Sequence, residues 1–479
     1  MLLPVILAAM FLYGFDLNVV NVALPTLAGQ LHAGPAALQL IVGGYTFTYA
    51  AGLVTGGRLG DLYGHRRMFL AGMAAFAVAS ALCGLAQNPG QLVAARLVQG
   101  LTAAAMVPQV LAMITTAFPA TDRPRALAGY GVVAAVSGIC GQVLGGLLLS
   151  ADLFGLGWRT IFLVNVPVAA LVLAVAPRVL PRPAPGPRVR LDLLGALALA
   201  AALGLALVPL VLGRDTGWPW WMWAMLAAAV PVAAGAVWWE RRVATPMLDL
   251  SLFANRRYRL GVAVAAAFMG TFTGVVFVAT LLFQRGLGLS AVGSGLAFAP
   301  MAVVGTLVPP LGRRLVTRYG PAPVMLVGCA VNAVAFVALG LALHVGGGTV
   351  GVAWLVVPLA LLGLGNTLLL PALLGATLVT VRTGQAGIAA GVLTTAQQFA
   401  GAAGLAVLGT AFFAVLAAGH GTAAAAAYAG GAELVVWLAL GLTAVMAGLT
   451  LRLRAADAPA PACGRTGDVL GADVAPVAE

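Results

Sequence analysis

Fourteen apolar stretches separated by short polar breaks run through the 479-residue chain. About 20 apolar residues in a helix span the hydrocarbon core of a bilayer. In lipid each segment must satisfy its own backbone hydrogen bonds, so stretches of this kind are expected to be helices. They cover residues 4–25, 38–57, 68–86, 91–115, 126–149, 159–177, 191–212, 220–239, 260–283, 291–311, 323–344, 351–379, 386–416 and 432–451. The expected fold class is an all-α polytopic membrane protein with 14 transmembrane helices. Only 8% of residues are charged, against about 25% in a soluble domain, so there is too little polar surface to cover a water-soluble fold of this length.

The net charge of +12 invites a nucleic-acid reading, but the charges sit at the ends of apolar stretches. All 25 basic residues are arginine. Without lysine there is no P-loop lysine for nucleotide phosphates, and no break is long enough for a nucleotide-binding domain. Cytoplasmic connections hold the excess of arginine in membrane proteins. With both termini cytoplasmic, 21 arginines fall inside, Arg159, Arg214 and Arg285 fall outside, and Arg96 stays within a span. A helix miscounted anywhere would scramble that sorting. Tryptophans bracket the eighth span, with Trp218, Trp220, Trp221 and Trp223 at one end and Trp238 and Trp239 at the other. Cys83, Cys140, Cys329 and Cys463 lack disulfide or zinc spacing. His32, His65, His344 and His420 are scattered, so no metal site, no cofactor and no enzyme are expected. The N-terminal run lacks the basic flank of a signal peptide and is read as the first span. The segment from about Ala455 has no periodicity and is expected to be disordered.

Ionisable groups inside a membrane are unfavourable and functional by default. Asp16 is the one acid deep within a span, and Arg96 is the matching base. They are the candidate proton-coupling pair, with a structural ion pair as the other reading. Burial disfavours a charged carboxylate and a neighbouring arginine favours it, an opposition on which a proton switch can run. Asn18, Asn21, Gln99, Gln142, Asn366, Gln397 and Gln398 are candidate cavity residues, as is Asn332. For each of the second-half amides taken alone an interhelical hydrogen bond is the favoured reading. Phe268, Phe272 and Phe277 line a pocket or face lipid.

The break Gly57-Arg-Leu-Gly-Asp61-Leu-Tyr-Gly64-His-Arg66-Arg67 resembles the loop-2,3 signature of the major facilitator superfamily. Asp16-Leu-Asn18-Val-Val-Asn21-Val-Ala-Leu-Pro25 is similar to the first-helix signature of its fourteen-span drug:proton antiporter branch. Arg96-Leu-Val-Gln99-Gly100 resembles the helix-4 arginine motif, and Gly138-Ile-Cys-Gly141-Gln142-Val-Leu-Gly145-Gly146 the antiporter motif. Trp158-Arg159 through Asn165-Val-Pro167 resembles the helix-6 start of the same branch. Gln142 stands where that motif usually has proline, while Gly141 and Gly145 keep the spacing that lets helices approach. Gly320 laid on Gly64 suggests an internal repeat.

The resemblance implies a major facilitator fold of two six-helix halves plus two additional helices. The expected divisions are 1–177 for the first half, 178–259 for the linker with the added pair, 260–451 for the second half and 452–479 for a cytoplasmic tail. It also implies a proton-coupled antiporter of the bacterial cytoplasmic membrane that exports small amphipathic compounds such as drugs or antibiotics. A proton symporter for a small metabolite is the second reading. Gly57, Asp61, Gly64 and Arg66 are the expected gating loop. The expected partners are protons, a small-molecule substrate and the lipid bilayer, with neither nucleotide nor nucleic acid.

Overall fold

The computed structural model describes residues 2–119, 121–180, 192–213, 216–243, 250–378, 386–418 and 424–455. Among them the chain is nearly all helical and contains no strand. The first six spans are α1 (Leu2–Gln30), α2 (Pro35–Tyr63), α3 (His65–Gly84), α4 (Pro89–Ala117), α5 (Arg123–Ala151) and α6 (Gly157–Val179). The added pair is α7 (Leu193–Leu212) and α8 (Trp220–Glu240). Then come α9 (Arg256–Leu281), α10 (Ala291–Leu307 and Pro309–Tyr319), α11 (Pro321–Gly346), α12 (Val352–Leu378), α13 (Ala386–Ala418) and α14 (Ala424–Ala455). Residues 456–479, and with them most of the expected tail and Cys463, lie outside the described residues, while 452–455, expected in the tail, continue α14.

Thirteen helices are long and apolar enough to cross a membrane, and α10 makes the fourteenth as a span bent by 48°. The straight helix expected over 291–311 is therefore broken. Pro309 and Pro310 stand at the break, where a proline ring removes a backbone donor and clashes with the preceding turn. The loop-2,3 signature is less of a loop than expected, because α2 continues through Asp61 to Tyr63. Only Gly64 interrupts the backbone, at φ 90°, a region that glycine enters without penalty. Gly320 does the same at φ 82° between α10 and α11. The last span begins at Ala424 rather than 432, since the run of alanines before Tyr428 favours helix.

The two halves repeat in register. The starts of α2 and α10 lie 256 positions apart, as do those of α3 and α11. For α4 and α12, and for α5 and α13, the separation is 263. Within the first half α2 packs closely on α4, because a Cβ at Gly56 would come within 2.0 Å of the Ala104 carbonyl oxygen. Small residues allow this approach where lipid supplies no hydrophobic drive between helices.

The halves meet along α2 with α13 and α5 with α10, toward the end opposite Gly64. There Gln284 donates to the Val22 carbonyl at 2.8 Å and Arg285 to the Pro25 carbonyl. Of the added pair, α7 rests against α2 and α13 and α8 packs on α7; at the first of these contacts the Thr410 hydroxyl donates to the Leu210 carbonyl at 3.0 Å.

Candidate functional site

The middle of the first half is filled by a closed polar cluster. Asp16 on α1 and Arg96 on α4 are both fully buried, and Arg96 Nη1 donates to Asp16 Oδ2. Gln99 Nε2 and Asn165 Nδ2 each donate to Asp16 Oδ1 at 3.0 Å. Three donors from α4 and α6 thus converge on one carboxylate of α1. Gln99 lies one turn after Arg96 and shares its helix face. Its Oε1 accepts from Arg96 Nη1 at 2.6 Å, and its Nε2 also donates to Ser80 on α3 at 2.8 Å. Arg96 Nε donates to the Ile41 carbonyl of α2 at 3.0 Å. The guanidinium sits 4.1 Å from the Tyr45 ring centroid, in cation–π contact. Arg96 Nη2 and Asn165 Oδ1 have no hydrogen-bond partner among the described residues.

From this cluster a line of tyrosines runs to the other half. Tyr45 stacks on Tyr13 at 6.1 Å, and Tyr13 stacks on Tyr49 at 4.3 Å. Gln398 Nε2 of α13 donates to the Tyr13 hydroxyl at 2.8 Å. Tyr13 lies three residues before Asp16 on α1.

The remaining sequence-predicted residues do not gather in one cavity. Asn18 turns its amide back onto the Gly14 carbonyl at 2.8 Å. Asn21 is buried with Oδ1 unpartnered. Gly141 and Gly145 face α1, where a Cβ would meet Phe15 O at 2.7 Å and Val19 Cγ2 at 2.7 Å. Gly138 faces Asn18 on the same seam, whereas Gly146 packs on Ala291 of α10. Gln142 also lies at that seam between the halves, its backbone oxygen against Gly295. Gln397 is half-buried beside Gln398. Asn366 accepts from Asn332 Nδ2 at 3.0 Å. Phe268 and Phe272 border a cavity of the second half, while Phe277 is buried against Phe413.

On the signature loop, Asp61 pairs with His65 at 3.5 Å and with no arginine among the described residues. Arg66 reaches the Pro177 carbonyl of α6 at 2.7 Å. Glu433, at the edge of the expected span 432–451, lies well inside the last helix because α14 starts early at Ala424. Glu433 accepts from Trp437 at 3.3 Å and lies 3.0 Å from His344 Nδ1.

Ser80, Asn165 and the tyrosines escaped the sequence reading as site members. Their signal was present as isolated polar groups in apolar spans, yet nothing in one span says which neighbour it meets. The same holds for Asp192, which caps α7 through Gly195 N at 2.9 Å and accepts from Trp239 Nε1 at 3.0 Å. No group of three or more metal-ligating side chains occurs among the described residues.

The sequence profile of the Major Facilitator Superfamily matches residues 6–405. This chain belongs to that superfamily. It is a multi-pass membrane transporter and not an enzyme. The superfamily chain is 36% identical over 424 residues to the probable actinorhodin transporter of Streptomyces coelicolor, covering 86% of this chain and 72% of that one. It is 37% identical to the cephamycin export protein CmcT of Amycolatopsis lactamdurans, covering 84% and 82%. With the puromycin resistance protein pur8 of Streptomyces alboniger it shares 36% identity over 95% and 92%. The fold is similar to a bacterial homolog of the human lysosomal transporter Spinster in an inward-facing conformation. That match has a TM-score of 0.70 at 16% identity over 96% and 98% of the two chains.

Proposed function

We propose that this transporter exports small amphipathic compounds across the bacterial cytoplasmic membrane in exchange for protons, with both termini cytoplasmic. The observation that carries the coupling is the Asp16 carboxylate, fully buried and held by Arg96, Gln99 and Asn165. All three partners point hydrogens at it. A proton arriving on Asp16 takes the open lone pair of Oδ2 and weakens the hydrogen bonds of all three donors, which frees α4 and α6 to shift against α1. The same proton cancels the charge that holds Arg96. The motion reaches the second half through Tyr45, Tyr13 and Gln398, the hydrogen-bonded and stacked line that ends on α13.

The relative named as a cephamycin export protein supports the direction. The arginine distribution supports the orientation, and in that orientation the contacts of Val22 and Pro25 lie at the outer end. Alternating access then consists of parting those contacts while Gly57, Asp61, Gly64 and Arg66 close the inner end. The boundaries 1–177, 178–259 and 260–451 serve as the moving units.

The coupling is tested by substrate uptake into inside-out vesicles under an imposed proton gradient, together with proton release on substrate binding to detergent-solubilised protein. Wild-type uptake should follow the gradient, and Asp16→Asn should abolish both uptake and release. Gradient-independent uptake by the wild type, or release that persists in Asp16→Asn, would overturn it. For the orientation, a cysteine at Thr216 should react with an impermeant thiol reagent in intact cells, and one at Pro183, outside the described residues, should be shielded.

A further inference from the structure

Helix α3 begins at His65, directly after the Gly64 turn, and packs on α2, α4 and α6. Gln109 of α4 uses both amide hydrogens on backbone carbonyls, those of Gly56 at 2.8 Å and Ala105 at 3.0 Å. That fixes the amide with Oε1 toward the imidazole, 2.9 Å from His65 Nδ1. An amide oxygen only accepts, so Nδ1 must carry a hydrogen. The α2 backbone seals this contact, since a Cβ at Gly60 would overlap Gln109 Oε1 and lie 2.7 Å from His65 Nδ1.

The consequence falls on the other ring nitrogen. His65 Nε2 lies 3.5 Å from Asp61 Oδ1. With Nδ1 held as a donor, a neutral imidazole has only a lone pair at Nε2, and that lone pair faces a carboxylate oxygen. One proton in the gap turns the repulsion into attraction between imidazolium and carboxylate. Imidazole is the side chain that changes charge near physiological pH. His65 is a quarter exposed and Asp61 half exposed, so water can deliver the proton. Asp61 is the only acid on α2, α3, α4 or α6. The nearby arginines are directed elsewhere. Arg66 reaches the Pro177 carbonyl, Arg178 turns back onto the Ala174 carbonyl at 2.8 Å, and Arg58 has an interaction of its own. Arg67 is exposed.

We propose that His65 and Asp61 form a second proton-binding site, on the inner face and separate from Asp16, whose occupied form holds the inner end open. The halves join at the end opposite Gly64, so the pair is seen in the arrangement open at the Gly64 end. Closure there uses the charge of Asp61, and a protonated pair is neutral overall. Protons carried inward by export load this site and slow the next closure, a brake set by acidity on the inner side. The inner placement and the brake rest on the proposed orientation and on the proposed closing role of Asp61, whereas the proton site does not.

Nitrogen NMR of the full chain in detergent, labelled at its four histidines, reads the site directly, and His65→Asn identifies its signal. Neutral wild-type His65 should be the Nδ1–H tautomer. Asp61→Asn should lower its titration midpoint by at least half a pH unit, about threefold in proton affinity. A neutral His65 protonated at Nε2, or a midpoint unmoved in Asp61→Asn, would overturn the site. The brake is read from spin labels at Tyr63→Cys and Tyr319→Cys, exposed positions just before the Gly64 and Gly320 turns, with the native cysteines changed to serine. Between about pH 8 and about pH 6, across the imidazole range, the ratio of long to short distances should rise at least threefold. His65→Asn should lose most of that rise, Asp16→Asn should keep it, and His65→Arg should hold the long distance throughout. No rise in the wild type, or a rise intact in His65→Asn, would overturn the brake. Absence of gradient-driven uptake by the wild type would instead overturn the export reading and leave both readouts of this site standing.

Discussion

The first and second halves of this transporter place their helices in the same register and fill the enclosed space with opposite chemistry. In the first half, Asp16 and Arg96 form a fully buried ion pair surrounded by amides and a tyrosine ring. In the second, Phe272 and Leu359 occupy the corresponding positions beside a cavity. The backbone is thus a neutral frame, and the function of each half follows from what fills it. A buried ion pair is not in itself stabilising relative to apolar residues of similar volume. Its presence in one half alone, among the described residues, accords with the proposed coupling role rather than with a need of the fold.

The most disruptive way to test this comparison is Phe272→Asp, which transplants the acid without its arginine. An uncompensated buried charge should destabilise the protein by about 3–5 kcal/mol, read as a loss of folded protein on gel filtration. Adding Leu359→Arg should recover part of that stability by rebuilding the pair. If the single variant folds as well as the parent, position 272 is wet and the comparison fails.

The converse exchange removes the pair. Arg96→Ala should destabilise by a similar ~3–5 kcal/mol because Asp16 is left alone, and transport should stop. The double variant Asp16→Phe with Arg96→Leu copies the second half and should unfold near the wild-type temperature while remaining inactive. A double variant that unfolds as early as Arg96→Ala would show that the cluster is a structural necessity.

A milder effect is expected at the link between the halves. Tyr13→Phe keeps the stack on Tyr49 but removes the acceptor of Gln398, which is worth about 1 kcal/mol. Export should slow several-fold while proton release on substrate binding persists, and equal loss of both would move Tyr13 into the coupling site. The smallest stability change belongs to Asp61→Asn. Its contact with His65 is partly exposed, so the thermal shift should correspond to less than ~1 kcal/mol. Transport should nevertheless fall more than substrate binding, and no change in either would leave Asp61 as a helix surface residue.

Much of the architecture was legible because the bilayer imposes a simple rule of length and hydropathy on each span. The apolar runs, the Gly64 turn and the position of Asp16 could each be read locally. The bend in α10 was also written locally, in Pro309-Pro310, but a length criterion passes over it. The end of α2 was harder, since Gly57, Gly60 and Asp61 look like a loop until packing on α4 holds them helical. The start of the last span was misplaced for a related reason, because an alanine-rich run before Tyr428 has no polar signature that separates helix from loop.

Sequence by itself determined the solvent, the number of spans, the superfamily resemblance and the singular pair of intramembrane charges, because each depends on composition or spacing within one segment. Only the tertiary structure decided that Ser80, Gln99 and Asn165 converge on Asp16 and Arg96, that Gln398 reaches Tyr13, and that Phe272 and Leu359 stand opposite an unfilled space. Those facts depend on the rotation and depth of several helices relative to one another. Side-chain packing sets both, and no single apolar segment records them.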